Sequence, residues 1–408
     1  MKNQNLIKPQ ILKGFRDFLP EEARKRQYAI DIIRKTFKLW GYEPIETPAI
    51  EYLSVFTGNI GEDEKLFYKF TDEGGRQVAL RYDQTVPTCR VIAQYPDKIL
   101  LPFKRYQIQT VWRAEKPQKG RYREFLQCDA DIFGLDNPEA DAETVALSID
   151  IFKNLGFEKP IAIINDRALY KDIPYQMITS IDKLEKIGEK GVIEELIKKG
   201  LSKKEAIRLL DQVKNNTPND NLKQIFKYLN NYDMEENYQF KPTLARSFSY
   251  STGTIWEIII SEFEAGSVAG CERYDSLVSR FSKEKVPGVG FSIGFDRTIV
   301  AMDQFDLFPK IKTETQVLVA ILGKEALPYS LKVAARLRLS KISTDTYSSP
   351  QDKLDKQLKY ADRKGIPLAL IIGPDEIKKG CVTLKNLQNK NQRTIPEAQL
   401  ISEIKNII

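Results

Sequence analysis

The chain has no histidine among its 408 residues. That absence excludes imidazole acid–base catalysis, Ser-His and Cys-His nucleophile pairs, and histidine metal ligands. Cysteine is scarce. Cys89, Cys128, Cys271 and Cys381 stand far apart with no CxxC pair, so neither a structural zinc site nor a disulfide framework is expected, and a reducing, cytoplasmic setting fits. No apolar run reaches the length of a membrane span, and Met1–Lys13 lacks the apolar core of a secretory signal. No GxxxxGK[ST] loop occurs, so a Walker-type nucleotide site is excluded. Chemistry must therefore come from carboxylates, arginines, lysines, hydroxyls or the substrate's own groups.

What is present is an ordinary globular composition, 42% hydrophobic and 29% charged, in a chain long enough for two or three domains. The net charge of +7 is unevenly placed. From Gln316 to Ile408 there are 16 Lys/Arg against 9 Asp/Glu, so this stretch holds the whole excess. A basic terminal domain on a neutral body suits a polyanionic partner, although a solvated lysine-rich surface accounts for the charge equally well.

Periodicity predicts a helix over Glu21–Trp40, with Tyr28, Ala29, Ile32, Ile33 and Phe37 on one stripe. Strands are expected at Leu66–Phe70, Gln77–Arg81, Phe103–Arg113, Arg123–Phe133, Pro160–Ile164 and Thr254–Ile260, with a helix over Ala140–Leu155. Residues 169–238 read as a lysine-rich helical insertion, with a capping box at Ser202 and Glu205. Phe291–Met302 reads as a strand-to-helix unit and Phe305–Thr315 as a linker. Beyond it, Val317–Leu322 and Leu368–Ile372 read as strands alternating with helices at Leu331–Leu339 and Lys353–Arg363, a small α/β domain with a mostly parallel sheet.

The most informative segment is Trp112–Gly134, WRAEKPQKGRYREFLQCDADIFG. Read with a period of two, Leu126, Cys128, Ala130 and Ile132 share an apolar face. Arg123, Phe125, Gln127, Asp129 and Asp131 share the other, and a basic loop, Lys116–Tyr122, joins the strands. Guanidinium groups bind phosphate oxygens, a phenyl ring stacks on a base, and carboxylates with an amide hold an ammonium or a ring N–H. Arg81–Thr85 and Gly288–Arg297 read as further site segments. The latter's GxGxxxG spacing does not match a dinucleotide fingerprint, and no βαβ unit precedes it.

Trp112–Phe125 resembles motif 2 of class II aminoacyl-tRNA synthetases in its histidyl form. KGFRDFLP (Lys13–Pro20) and GYEPIETP (Gly41–Pro48) resemble that family's N-terminal signature and motif 1, and Gly290–Arg297 resembles motif 3. The resemblance covers nearly the whole chain. It implies an α+β catalytic domain with an antiparallel sheet flanked by helices (residues 1–168 and 239–312), a helical insertion (169–238) and a C-terminal α/β anticodon-binding domain (316–408), in a homodimer. The implied reaction is ATP-dependent ligation of L-histidine to tRNA(His) through histidyl-adenylate. Mg²⁺ would bridge the phosphates, and no protein metal site or membrane partner is implied.

By the same resemblance, Arg113 holds the α-phosphate, Glu115 and Phe125 the adenine, and Arg121 and Arg297 the outer phosphates. Arg246 and Arg113 are the catalytic cations. Asp83, Thr85, Gln127, Asp131, Tyr250, Ser251 and Tyr274 surround histidine, and Gln118 and Lys119 approach the tRNA acceptor end. The chain departs from the family pattern at Ser249, Ser251, Cys271 and Glu272, which stand where an aspartate, a tyrosine and two glycines are usual. Two other readings stay open: a non-catalytic regulatory paralogue that senses histidine or tRNA, and a synthetase-like enzyme with another amino-acid specificity.

Overall fold

The computed structural model describes residues 7–58, 65–116, 122–245, 250–264, 266–310 and 312–408. Arg246 with Ser247, Phe248 and Ser249, and Gln118, Lys119 and Arg121, lie outside these residues. The chain divides into two compact units, Met1–Phe308 and Pro309–Ile408. Among the described residues, no helix is long and apolar enough to cross a membrane.

The first unit is built on an eight-stranded sheet. Its spatial order is Glu43–Pro44, Phe103–Trp112, Glu124–Phe133, Gly288–Gly294, Ala269–Arg273, Thr254–Ile260, Pro160–Asp166 and Tyr238–Phe240. Only the two edge strands pair parallel; every interior pair is antiparallel. Three helices cover its apolar face. Pro20–Leu39 buries Ala29, Ile33 and Phe37, Pro138–Asn154 is buried along most of its length, and Phe295–Gln304 buries Ala301 and Met302. They share one core with Cys128, Ala130, Ile132, Val289, Phe291 and Ile293 from the sheet. Asn137 starts the second of these helices by accepting from the Ala140 amide at 3.2 Å, with Pro138 at the first helical position.

The opposite face is capped by a second, smaller core. A three-stranded sheet (Ile50–Tyr52, Lys69–Thr71, Gln77–Leu80) and the helix Thr85–Gln94 bury Phe56, Phe67, Ala79, Tyr82, Val86 and Ile92 against Phe133 and Tyr274 of the main sheet. The candidate site lies on this same face of the main sheet, where Gln127, Asp129 and Asp131 line a cavity.

Helices fill most of residues 169–238, including the predicted Ser202–Glu205 capping box, while Tyr238 opens the edge strand Tyr238–Phe240. Packing splits the stretch, however. Tyr175–Ile181, Leu184–Lys198 and Lys203–Lys214 close on a core of their own, with Met177, Ile181, Val192, Leu196 and Leu210. Asp220–Asn231 instead sends Leu222, Ile225 and Leu229 into the main core.

The second unit has a five-stranded sheet in the order Thr344–Thr346, Val317–Ile321, Leu368–Ile372, Cys381–Asn386, Gln392–Pro396. Three strands are parallel, but the last two form an antiparallel hairpin. The expected mostly parallel sheet is therefore half of the answer. The hairpin's sequence is polar and carries only Val382, Leu384 and Ile395 as buried apolar anchors, too few for a strand signal.

Candidate active site

Register builds the site. The two hairpin strands pair along their full length, so Arg105 faces Asp131, Gln107 faces Asp129 and Gln109 faces Gln127. On the other side, Gly288–Gly294 sets Gly290 opposite Asp131, Ser292 opposite Asp129 and Gly294 opposite Gln127. Alternation then puts all of these residues on one face. Gly290 has no substitute: a Cβ there would stand 1.9 Å from Asp131 Oδ1 and 2.7 Å from the Ala130 carbonyl oxygen. The glycine is required for the Asp131 carboxylate to lie over the neighbouring strand.

This face forms a cavity of about 780 Å³. The expected residues Asp83, Thr85, Arg113, Glu115, Phe125, Gln127, Asp131, Tyr250, Tyr274 and Arg297 all line it. Ser251 does not. It is buried, and its Oγ has no hydrogen-bond partner among the described residues, but it is not part of the wall. Strand alternation also separates the two residues that stand for glycines. Cys271 points into the core, while Glu272, 6% exposed, lines the cavity.

One end of the cavity is cationic and aromatic. The Arg113 guanidinium lies 4.3 Å from the Tyr82 ring centroid and 5.2 Å from that of Phe125. Its Nε donates to the Tyr82 carbonyl at 3.2 Å. Arg297 donates from Nη1 to the Ser267 carbonyl at 2.5 Å. The segment before the first helix closes this rim. Arg16 stacks 3.2 Å from the Tyr122 ring centroid and pairs with Asp296 at 2.9 Å. Arg26 holds the same carboxylate at 2.5 Å, and the Arg123 amide donates to the Gly14 carbonyl at 2.9 Å.

The other end is acidic and buried. Burial pushes the Asp83 carboxyl up to about 6, although the Val86 amide, Arg113 and Arg105 all pull it back. Burial takes Asp129 up to about 7 against the opposing charge of Arg105. Asp131 is raised by the same cause and steadied by Arg105, whose Nη2 lies 2.5 Å from Oδ2, and by the Tyr274 hydroxyl, which donates to Oδ1. Gln127 donates to Ser292 Oγ at 2.8 Å. The Gln127 Oε1 and Asp129 Oδ1 acceptors have no partner among the described residues. An unfilled buried acceptor costs roughly 1–3 kcal/mol, so this end can receive hydrogen bonds from a donor-bearing ligand.

Arg105 has no place in the sequence reading of the site, and Asp129 enters it only as one carboxylate of the hairpin's polar face. Arg105, Gln107 and Gln109 do carry a signal: polar side chains at every second position of a strand otherwise rich in apolar residues. They form a buried lattice beneath the cavity. Gln107 donates to Thr47 Oγ1 at 2.9 Å, and Arg81 donates to Gln109 Oε1 at 2.9 Å. Gln84 donates to the carbonyls of Gln109 and Gln127 at 2.8 and 3.1 Å. Among the described residues, no group of three or more Cys, Asp or Glu is arranged to hold a metal ion.

The chain that forms this cavity is similar to known proteins along nearly its whole length. The family model for histidyl-tRNA synthetase matches residues 14–187 and 191–298, and that for an anticodon-binding domain matches 316–407. A histidine–tRNA ligase of Cytophaga hutchinsonii is 36% identical over 451 aligned residues, covering 97% of this chain and 99% of the relative. One from Wolinella succinogenes is 37% identical, with 99% of each covered. The crystal structure of histidyl-tRNA synthetase from Nostoc sp. PCC 7120 superposes with a TM-score of 0.85 at 31% identity, covering 99% of this chain and all of that one. On its fold and its likeness along nearly the full length, this chain belongs to the histidyl-tRNA synthetase family.

Proposed function

We propose that this protein joins L-histidine to tRNA(His) at the expense of ATP, through histidyl-adenylate. The observation that carries the reading is that Arg113, packed against Tyr82 and Phe125, lines the same cavity as the unfilled acceptors Gln127 Oε1 and Asp129 Oδ1. The first group fits a nucleotide and the second an α-ammonium, so the amino-acid carboxylate lies between them, next to the α-phosphorus.

Arg113 and Arg246 flank the α-phosphate and stabilise the charge that grows as the histidine carboxylate attacks in line and pyrophosphate leaves. Glu115 and Phe125 hold adenine, and Arg121 and Arg297 the outer phosphates. Asp83, Thr85 and Gln127 orient the ammonium, while Asp131, fixed by Arg105 and Tyr274, faces the imidazole. Mg²⁺ carried by the triphosphate would supply charge neutralisation beside Arg113 and Arg297. In the second step a terminal ribose hydroxyl of the tRNA attacks the acyl carbon, the acyl–phosphate bond breaks and AMP leaves. With no histidine in the chain, a substrate phosphate oxygen accepts the proton. Gln118 and Lys119 reach the acceptor end, and the basic C-terminal unit reaches the anticodon.

The setting is a cytoplasmic homodimer. Ile50, Tyr52 and Phe70, all exposed on the three-stranded sheet that follows Gly41–Pro48, give a second copy an apolar face to cover. ATP–pyrophosphate exchange with a panel of amino acids tests the reading. Exchange with histidine, lost by at least 100-fold in Arg113→Ala, supports it. Absence of exchange with every amino acid favours the regulatory paralogue, and exchange with another amino acid alone favours the third reading.

A further inference from the structure

Glu272 is an acidic side chain, 6% exposed, in the cavity wall of a chain whose family places glycine there. Its register is informative. Glu272 pairs with Gly290 on one side, and Asp131 pairs with Gly290 on the other. The two carboxylates therefore stand on strands separated by one glycine, about 10 Å apart at the backbone by strand spacing. Gly290 contributes no side chain between them, and Asp131 already leans over it. Above that glycine lies the Asp131 carboxylate itself, so the two acids line one cavity from either side of the Gly290 strand.

The two walls are supported differently. Asp131 is committed to Arg105 and Tyr274. Glu272 lies within the electrostatic reach of Arg167, a half-buried guanidinium whose charge is disfavoured by burial and supported in part by Glu272. Ser251, which stands where the family has a phenol, is outside the wall. The unfilled acceptors Gln127 Oε1 and Asp129 Oδ1 on the same face, each with its side chain at least nine-tenths buried, show independently that this region of the cavity accommodates a donor-bearing ligand.

We infer that Glu272 is a specificity-determining residue of this chain: its carboxylate accepts a ring N–H of the amino-acid side chain beside Asp131, from the strand on the far side of Gly290. A flat side chain with N–H donors on two edges can donate to both acids, and an aliphatic one offers neither of them a donor. The inference rests on the proposed histidine activation.

The test is pyrophosphate exchange by the full chain and by Glu272→Gln and Glu272→Gly, with histidine and with its two ring-N-methylated isomers. For Glu272→Gln, KM for histidine should rise at least tenfold while KM for ATP stays within twofold. Glu272→Gly should in addition accept one methylated isomer that the parent rejects, because removal of the side chain opens that edge. Thermal shifts with ATP alone confirm that each variant is folded. Unchanged KM for histidine in Glu272→Gln, or equal loss for histidine and ATP, overturns the inference while leaving histidine activation standing. A parent protein that exchanges with no histidine overturns both.

Discussion

Arg105 and Asp131 face each other across the first two strands of the hairpin, guanidinium Nη2 to carboxylate Oδ2 at 2.5 Å, both essentially removed from solvent. The pair converts an otherwise costly buried acid into a fixed wall of the amino-acid site. Its mutual attraction offsets a desolvation penalty that neither partner survives alone.

Arg105→Met should therefore destabilise by about 3–5 kcal/mol, since it strands the Asp131 charge. The double replacement Arg105→Met with Asp131→Leu should recover much of that loss while abolishing histidine activation. Urea unfolding measures the first effect and exchange kinetics the second. A single variant that unfolds at the parent's midpoint would remove the pair from any structural role.

Gly290→Ala should displace Asp131, because the new methyl carbon meets both its carboxylate and the Ala130 carbonyl oxygen. Overpacking of this kind costs about 1–3 kcal/mol. KM for histidine should rise at least tenfold, with a much smaller change in KM for ATP. Equal effects on both substrates would mean that the glycine serves the sheet as a whole.

Asp83 and Asp129 give the protein a pH signature. Their ordinary value is 3.8, and burial takes them to about 6 and about 7. Between about pH 4 and 7 the folded chain keeps protons that the unfolded chain has released. Folding stability from these two groups therefore falls as pH rises through that window. Asp129→Asn should flatten the fall, so the variant's melting temperature relative to the parent should be higher at pH 7.5 than at pH 5. A difference that is constant with pH, or of opposite sign, would count against the buried acid.

Ser251→Tyr, which restores the family's phenol, should not tighten histidine binding. The residue is buried but outside the cavity wall, so the added ring overpacks its surroundings and costs about 1–3 kcal/mol. Calorimetric titration with histidine decides this. A several-fold gain in affinity would show that the side chain reaches the site after all.

The sequence by itself determined the hairpin's two faces. Alternation along Arg123–Phe133 separated Cys128, Ala130 and Ile132 from Phe125, Gln127 and Asp131, and the structure keeps that division because side-chain period follows directly from strand geometry. The absence of histidine likewise fixed which chemistries were open. Only the tertiary structure decided which strands are neighbours. Gly290 lies between Asp131 and Glu272 although 159 and 18 residues of chain separate them, and no local pattern encodes such a pairing. The same long-range register turned Arg105 from a polar strand residue into the partner of Asp131. It also placed Glu272 in the wall and Cys271 in the core, because one step along a strand reverses the face a side chain occupies.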